Sequence, residues 1–119
     1  MNEKHAPEAA QIEWSQTLCD GRRVSFAEAE RAVAELGEGW KIPDRWQQES
    51  SLDLSRFDPA VDPALHPDIR SEPYWTSTPY APDPSCAWVV LFCYGGVDAY
   101  YRGHYRACVR ACRVVPAGQ

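Results

Sequence analysis

The sequence predicts an α+β domain with its helices first and a small antiparallel sheet after them. Three observations carry this. Ser25-Phe26-Ala27-Glu28 has the S-x-x-E form of a capping box and opens an apolar pattern at helical spacing. Two apolar, β-rich runs, 87–94 and 97–101, flank Gly95-Gly96, the pattern of a hairpin. Residues 105–115 then alternate, with Ala107, Val109 and Ala111 on one face and Cys108, Arg110 and Cys112 on the other, as a third strand would.

In chain order, residues 1–13 are polar and Ala-rich and read as a flexible N-terminal arm, and residues 14–115 read as one domain followed by a tail over 116–119. Phe26, Ala29, Val33 and Leu36 place a helix over 26–36, stopped by Gly37 and Gly39. After the extended Gly39-Trp40-Lys41-Ile42-Pro43, Asp44 is positioned to cap a second helix through Trp46 and Glu49. Seven of the ten prolines fall within 53–84, so that stretch is a long loop region, since proline disfavours both helix and ladder pairing. Its apolar residues Phe57, Val61, Leu65, Tyr74 and Trp75 are expected to anchor it to the core.

Twelve Lys and Arg against seventeen Asp and Glu give a net charge of -5, unlike a general nucleic-acid binder, which needs a basic face. No apolar run approaches the roughly 20 residues of a membrane span, and the first residues lack a signal-peptide core. The expectation is a cytoplasmic protein with no direct nucleic-acid or membrane partner. Cys19, Cys86, Cys93, Cys108 and Cys112 include no C-x-x-C pair, so reduced thiols acting as small hydrophobes are expected, with no metal and no cofactor.

Five words in order give the chain a family likeness. They are Gly39-Trp40-Lys41-Ile42-Pro43; Asp53-Leu54-Ser55-Arg56-Phe57 with Pro59-Ala60-Val61-Asp62-Pro63; Tyr74-Trp75-Thr76-Ser77-Thr78; Ala87-Trp88-Val89-Val90 with Phe92 and Gly95 or Gly96; and Cys108-Val109-Arg110. Across residues 22–113 the chain resembles the bacterial and phage Lcl C-terminal-type domain, which is similar to the wider C-type-lectin-like superfamily. That resemblance implies a C-type-lectin-like fold, two helices packed on a small twisted antiparallel sheet with long loops. It also implies that Trp40, Pro43, Trp75, Trp88, Phe92, Val109 and Arg110 are structural core. Arg110 is expected to bridge loop carbonyls or a carboxylate such as Asp62. The segment before Asp53 is shorter than in the family pattern, so a short second helix is expected.

Function is less constrained, because such a fold hosts adhesins, receptors and enzymes. Asp53, Asp58, Asp62 and Asp68 are hard oxygen ligands in one loop region, but the W-N-D and E-P-N words of calcium-dependent sugar binding are missing. No Ser-His-Asp order, P-loop, H-E-x-x-H or dinucleotide fingerprint occurs, so a non-enzymatic role is expected. The richest candidate surface is Tyr94, Tyr100, Tyr101, Arg102, His104, Tyr105 and Arg106, since Tyr and Arg dominate binding hot spots. Residues 101–119 carry four arginines and no acid, against net charges of -4 and -5 for residues 1–50 and 51–100. The reading is a binding module for a protein partner. The alternatives are a phage-encoded acidic inhibitor of a host defence complex and a carbohydrate or small-ligand binder.

Overall fold

The computed structural model describes residues 10–116 and contains two helices and two antiparallel sheets. The strands are β1 (Ala10–Trp14), β2 (Pro73–Pro79), β3 (Cys86–Leu91), β4 (Gly96–Tyr101) and β5 (Cys112–Pro116); the helices are α1 (Phe26–Ala34) and α2 (Arg45–Glu49). β1 pairs with β5 from Ala10↔Pro116 to Trp14↔Cys112, and the other sheet has the order β2-β3-β4.

Residues 10–13, expected in the arm, therefore form a strand, because β5 offers them a ladder; residues 1–9 lie outside the described residues. Pro116, expected in the tail, closes β5, and residues 117–119 also lie outside.

Both helices start as their caps predict. Ser25 Oγ accepts from the Glu28 N–H while Glu28 accepts from the Ser25 N–H, and Asp44 and Gln47 repeat the device at α2. Such a box satisfies two of the donors a helix start leaves without partners. Phe26, Ala29 and Val33 are buried on one face of α1. The helix ends at Ala34, two residues earlier than the apolar spacing suggests, and leaves Leu36 39 % exposed. α2 is five residues long, as the shortened segment implies.

The three-stranded sheet is covered on both faces. On one side Trp75, Ala87 and Val89 pack with Phe26, Ala29 and Val33 of α1 and with Ala107, Val109 and Ala111. On the other, Tyr74, Val90 and Phe92 pack with Val61, Ile69 and Cys108. Alternation along each strand explains the split. Phe57 and Leu65, expected as anchors, are 79 % and 72 % exposed.

Residues 105–111 do not form the third strand of a hairpin sheet. Residues 107–111 thread the middle of the molecule, with Cys108 bonding β2 and the residues beside it bonding the N-terminal loop. The Trp75 N–H donates to the Cys108 carbonyl (3.0 Å) and the Cys108 N–H to the Pro73 carbonyl (2.8 Å). The Leu18 N–H reaches the Val109 carbonyl (2.8 Å), and Val24 bridges Ala107. Both sides of this segment are therefore buried, which its alternating pattern disguises.

Trp75, Phe92, Val109, Pro43 and Arg110 are buried, as the family words imply. Trp40 and Trp88 are only half-buried. Trp88 lies on the sheet face that α2 covers, and a helix of about 7.5 Å is too short to seal it. The Arg45 guanidinium (4.3 Å from the ring centroid) and the Tyr80 ring (5.1 Å) lie against it instead. Trp40 caps the α1 side of the core beneath Arg113, 4.5 Å away.

Candidate functional site: the open sheet edge and its tyrosine–arginine loop

β3 ends at Leu91 and β4 begins at Gly96, so the hairpin turn is residues 92–95 rather than the two glycines alone. Phe92 turns inward and is fully buried, while Tyr94 at the tip is 62 % exposed. Gly95 has φ +97°, which strains any residue with a side chain, and a Cβ there would lie 2.5 Å from Leu54 Cδ2, so the exposed Leu54 would also have to move. The loop before β2 docks on this turn: the Asp58 N–H donates to the Cys93 carbonyl (2.7 Å) and the Ala60 N–H to Phe92 (2.7 Å).

At the other end of β4 the aromatic residues meet. Tyr100 sits 6.1 Å from Trp75 edge-on and 5.0 Å from Tyr105, and His104 lies 6.0 Å from Tyr105. The Arg102 guanidinium lies 5.3 Å from the Phe26 ring and donates to the carbonyls of Pro84 (2.9 Å) and Ser85 (3.4 Å). Arg106 reaches Glu28 at 3.5 Å, and Arg23 pairs with Glu72 at 2.6 Å nearby. Burial, then the Asp98 carboxylate, raises the Tyr100 hydroxyl above its ordinary value, with Arg23 opposing them.

Of the seven predicted contact residues, Tyr101, His104, Tyr105 and Arg106 are exposed together on β4's end and the following loop. Tyr100 and Arg102 belong to the same cluster but are half-buried and anchor it to the core. Tyr94 stands apart at the far end of a strand of about 20 Å. Phe26, Arg23, Glu28 and Glu72 complete the cluster without any sequence signal, since their partners lie 49 to 78 residues away. Glu28 in particular reads from sequence only as half of a capping box.

The edge itself is open. Because the Trp75 N–H and the Pro73 carbonyl point away from β3 toward Cys108, alternation across the register fixes which groups of β4 face outward. They are the main-chain groups of Val97, Ala99 and Tyr101. The Ala99 N–H is held by the Asp98 carboxylate (2.8 Å), and the Tyr101 carbonyl accepts from His104 and Tyr105. The Val97 N–H and C=O, the Ala99 C=O and the Tyr101 N–H bond nothing among the described residues.

The remaining sequence candidates have structural surroundings. Arg110 is 1 % exposed, and its partners are all neutral: Gln48 Oε1 (2.7 Å), Ser51 Oγ (2.6 Å) and His66 Nδ1 (3.2 Å). Its guanidinium stacks 3.6 Å from the Trp14 ring with Phe92 behind it. The expected partner Asp62 instead accepts from the Ala64 N–H and lies 4.0 Å from Arg56, within its own loop. Burial lowers the Arg110 guanidinium to about 10, so it stays charged at neutral pH. Since Arg donates only, His66 Nδ1 must accept, which fixes its Nε2–H tautomer. Burial first, then Arg110, lowers the imidazole from its ordinary value.

Asp53 is occupied by Ser55 and Arg56, and Asp68 accepts from the Thr17 N–H. Among the described residues no three His, Cys, Asp or Glu side chains gather as a metal would require. All five cysteines are free; burial pushes the Cys108 and Cys112 thiols up to about 11, which makes them poor nucleophiles. No helix among the described residues is long and apolar enough to cross a membrane.

Fold and surface together define a small α+β domain that displays a tyrosine–arginine loop beside an unpaired strand. The chain belongs to the Lcl C-terminal domain family, whose model it matches over residues 7–113. Comparison with curated proteins and with solved structures finds no match.

Proposed function

We propose that this domain is a non-enzymatic binding module that recognises a protein partner through the loop after β4. The observation that carries the reading is the exposure of Tyr101, His104, Tyr105 and Arg106 on one rigidly anchored loop. Tyr100 against Trp75, and Arg102 on the Pro84 and Ser85 carbonyls, hold that loop in place before any partner arrives. Pre-ordering lowers the entropy cost of binding, and Tyr and Arg contribute large contact area and hydrogen bonds at interface centres. The high values of the two buried thiols support a role without cysteine catalysis. Five free cysteines support a reducing, cytoplasmic setting. Family membership, with two helices packed against an antiparallel sheet, supports the C-type-lectin-like fold.

The test is affinity capture from host lysate with tagged protein, with and without EDTA, comparing wild type with Tyr105→Ala/Arg106→Ala. One stoichiometric protein retained with EDTA and lost from the double variant is the expected result. Capture that the double variant leaves unchanged places the surface elsewhere. Binding lost with chelator favours the carbohydrate or small-ligand alternative.

A further inference from the structure

Resting on that reading, we infer that the partner binds by adding an extended segment to the open edge of β4. An edge strand with unbonded main-chain groups is a template for another strand. Val97 offers both N–H and C=O, Ala99 its C=O and Tyr101 its N–H, all spaced on one side of a single strand. The other edge of the sheet is not available, because Cys108 already bonds Pro73 and Trp75 of β2.

The side chains define the segment's chemistry. Val97, Ala99 and Tyr101 share one face of the sheet by alternation, so the incoming strand meets apolar surface there. Asp98 lies on the other face and holds the Ala99 N–H with its own carboxylate. That carboxylate must leave for the ladder to close. A Lys or Arg placed opposite Asp98 would draw it away, turning an edge guard into a charge contact. The partner is therefore an extended peptide segment, apolar on one face, with a basic residue on the other. A second copy of this chain fits less well, because self-pairing about Ala99 would set Val97 against Tyr101, whose carbonyl is already taken twice.

The probe is a random linear dodecapeptide library displayed on phage and selected against the folded protein, followed by amide exchange on the protein with one synthesised winner. The expected winners alternate apolar residues and carry Lys or Arg. The Val97, Ala99 and Tyr101 amides should then slow at least tenfold while Asp98 and Tyr100, already inside the ladder, stay unchanged. Ala99→Pro should abolish binding. Its N–H serves no ladder bond within the domain, so the variant should fold, as its own exchange pattern will verify. Asp98→Ala, which keeps the N–H, should retain strand addition with a weaker preference for Lys and Arg.

Winners lost on Tyr105→Ala/Arg106→Ala but kept by Ala99→Pro, without the alternating protection, would overturn the edge and leave the loop reading intact. No winners above background would overturn both. Protection of the same amides in the protein alone as its concentration rises would assign the edge to a second copy and overturn a peptide partner.

Discussion

Arg110 and Arg102 stand eight residues apart in the chain, and each sets its guanidinium against an aromatic ring, Trp14 at 3.6 Å for the first and Phe26 at 5.3 Å for the second. Around Arg110 the guanidinium itself is enclosed. Gln48 and Ser51 from the α2 end, His66 from the proline-rich loop, Trp14 from β1 and Phe92 from the hairpin turn meet on one cation. Around Arg102 the inner half is fixed and the outer half is exposed: carbonyls and Phe26 hold the guanidinium, while Tyr105, His104 and Arg106 remain in solvent. The same residue types thus close the fold in one place and offer a surface in the other. Burial of the polar partners, more than residue identity, separates the two roles.

The contrast can be broken most violently at Arg110. Arg110→Ala should cost about 3–5 kcal/mol in urea unfolding, because Gln48 and Ser51 lose their partner in the interior and a void opens under Trp14. Arg110→Met should cost clearly less, since it keeps volume between Trp14 and Phe92 and buries no charge. Equal losses would mean that the hydrogen bonds, not the packing, dominate.

The tryptophans draw the same contrast within one residue type. Trp75→Ala should cost about 3–5 kcal/mol, since Trp75 is fully buried and its indole N–H donates to the Val24 carbonyl (2.9 Å). Half-buried Trp88→Ala should cost only about 1–2 kcal/mol, mostly apolar contact and its cation–π contact with Arg45. Thermal or urea unfolding of both variants will show the gap, and similar losses would restore Trp88 to the core.

His66 adds a pH dependence to the buried cluster. The fold holds its imidazole below the ordinary 6.5, so the unfolded chain takes up the proton first. The contribution is complete above pH 6.5 and is lost as pH falls through that value toward the lowered folded one. The slope cannot exceed about 1.4 kcal/mol per pH unit for one proton. Urea midpoints from pH 8 to 5 should fall more steeply for wild type than for His66→Gln, and parallel profiles would remove His66 from the account.

The smallest stability effect belongs to the exposed cluster: Tyr105→Ala/Arg106→Ala should stay within about 0.5 kcal/mol of wild type. A loss above 1 kcal/mol in the urea curve would mean that the loop is part of the scaffold.

Local chemistry was readable in advance. The Ser25–Glu28 box, Asp44 as a cap, the short α2 and the burial of Trp75, Phe92 and Val109 follow from adjacent residues or from the five words. What escaped depends on distant partners. β1 was hidden in a polar stretch because its pairing with β5 spans the whole domain. The segment around Cys108 alternates like a surface strand, yet contacts on both sides bury it. Tyr and Arg named the candidate loop from composition, but only the register of β2-β3-β4 reveals which main-chain groups of β4 lack partners.

The β1–β5 ribbon also has a mechanical consequence. Ala10 faces Pro116 at its outer end and Trp14 faces Cys112 at its inner end, so tension applied at both ends of the domain loads the ladder one bond at a time. Such a ribbon opens like a zipper and not by shear, and the last pair to part carries Trp14 away from Arg110. Pulling therefore ends by wetting the buried cation that joins α2, the proline-rich loop and the hairpin turn. Resistance to stretching along this direction should drop at that point, well before the three-stranded sheet is itself under load.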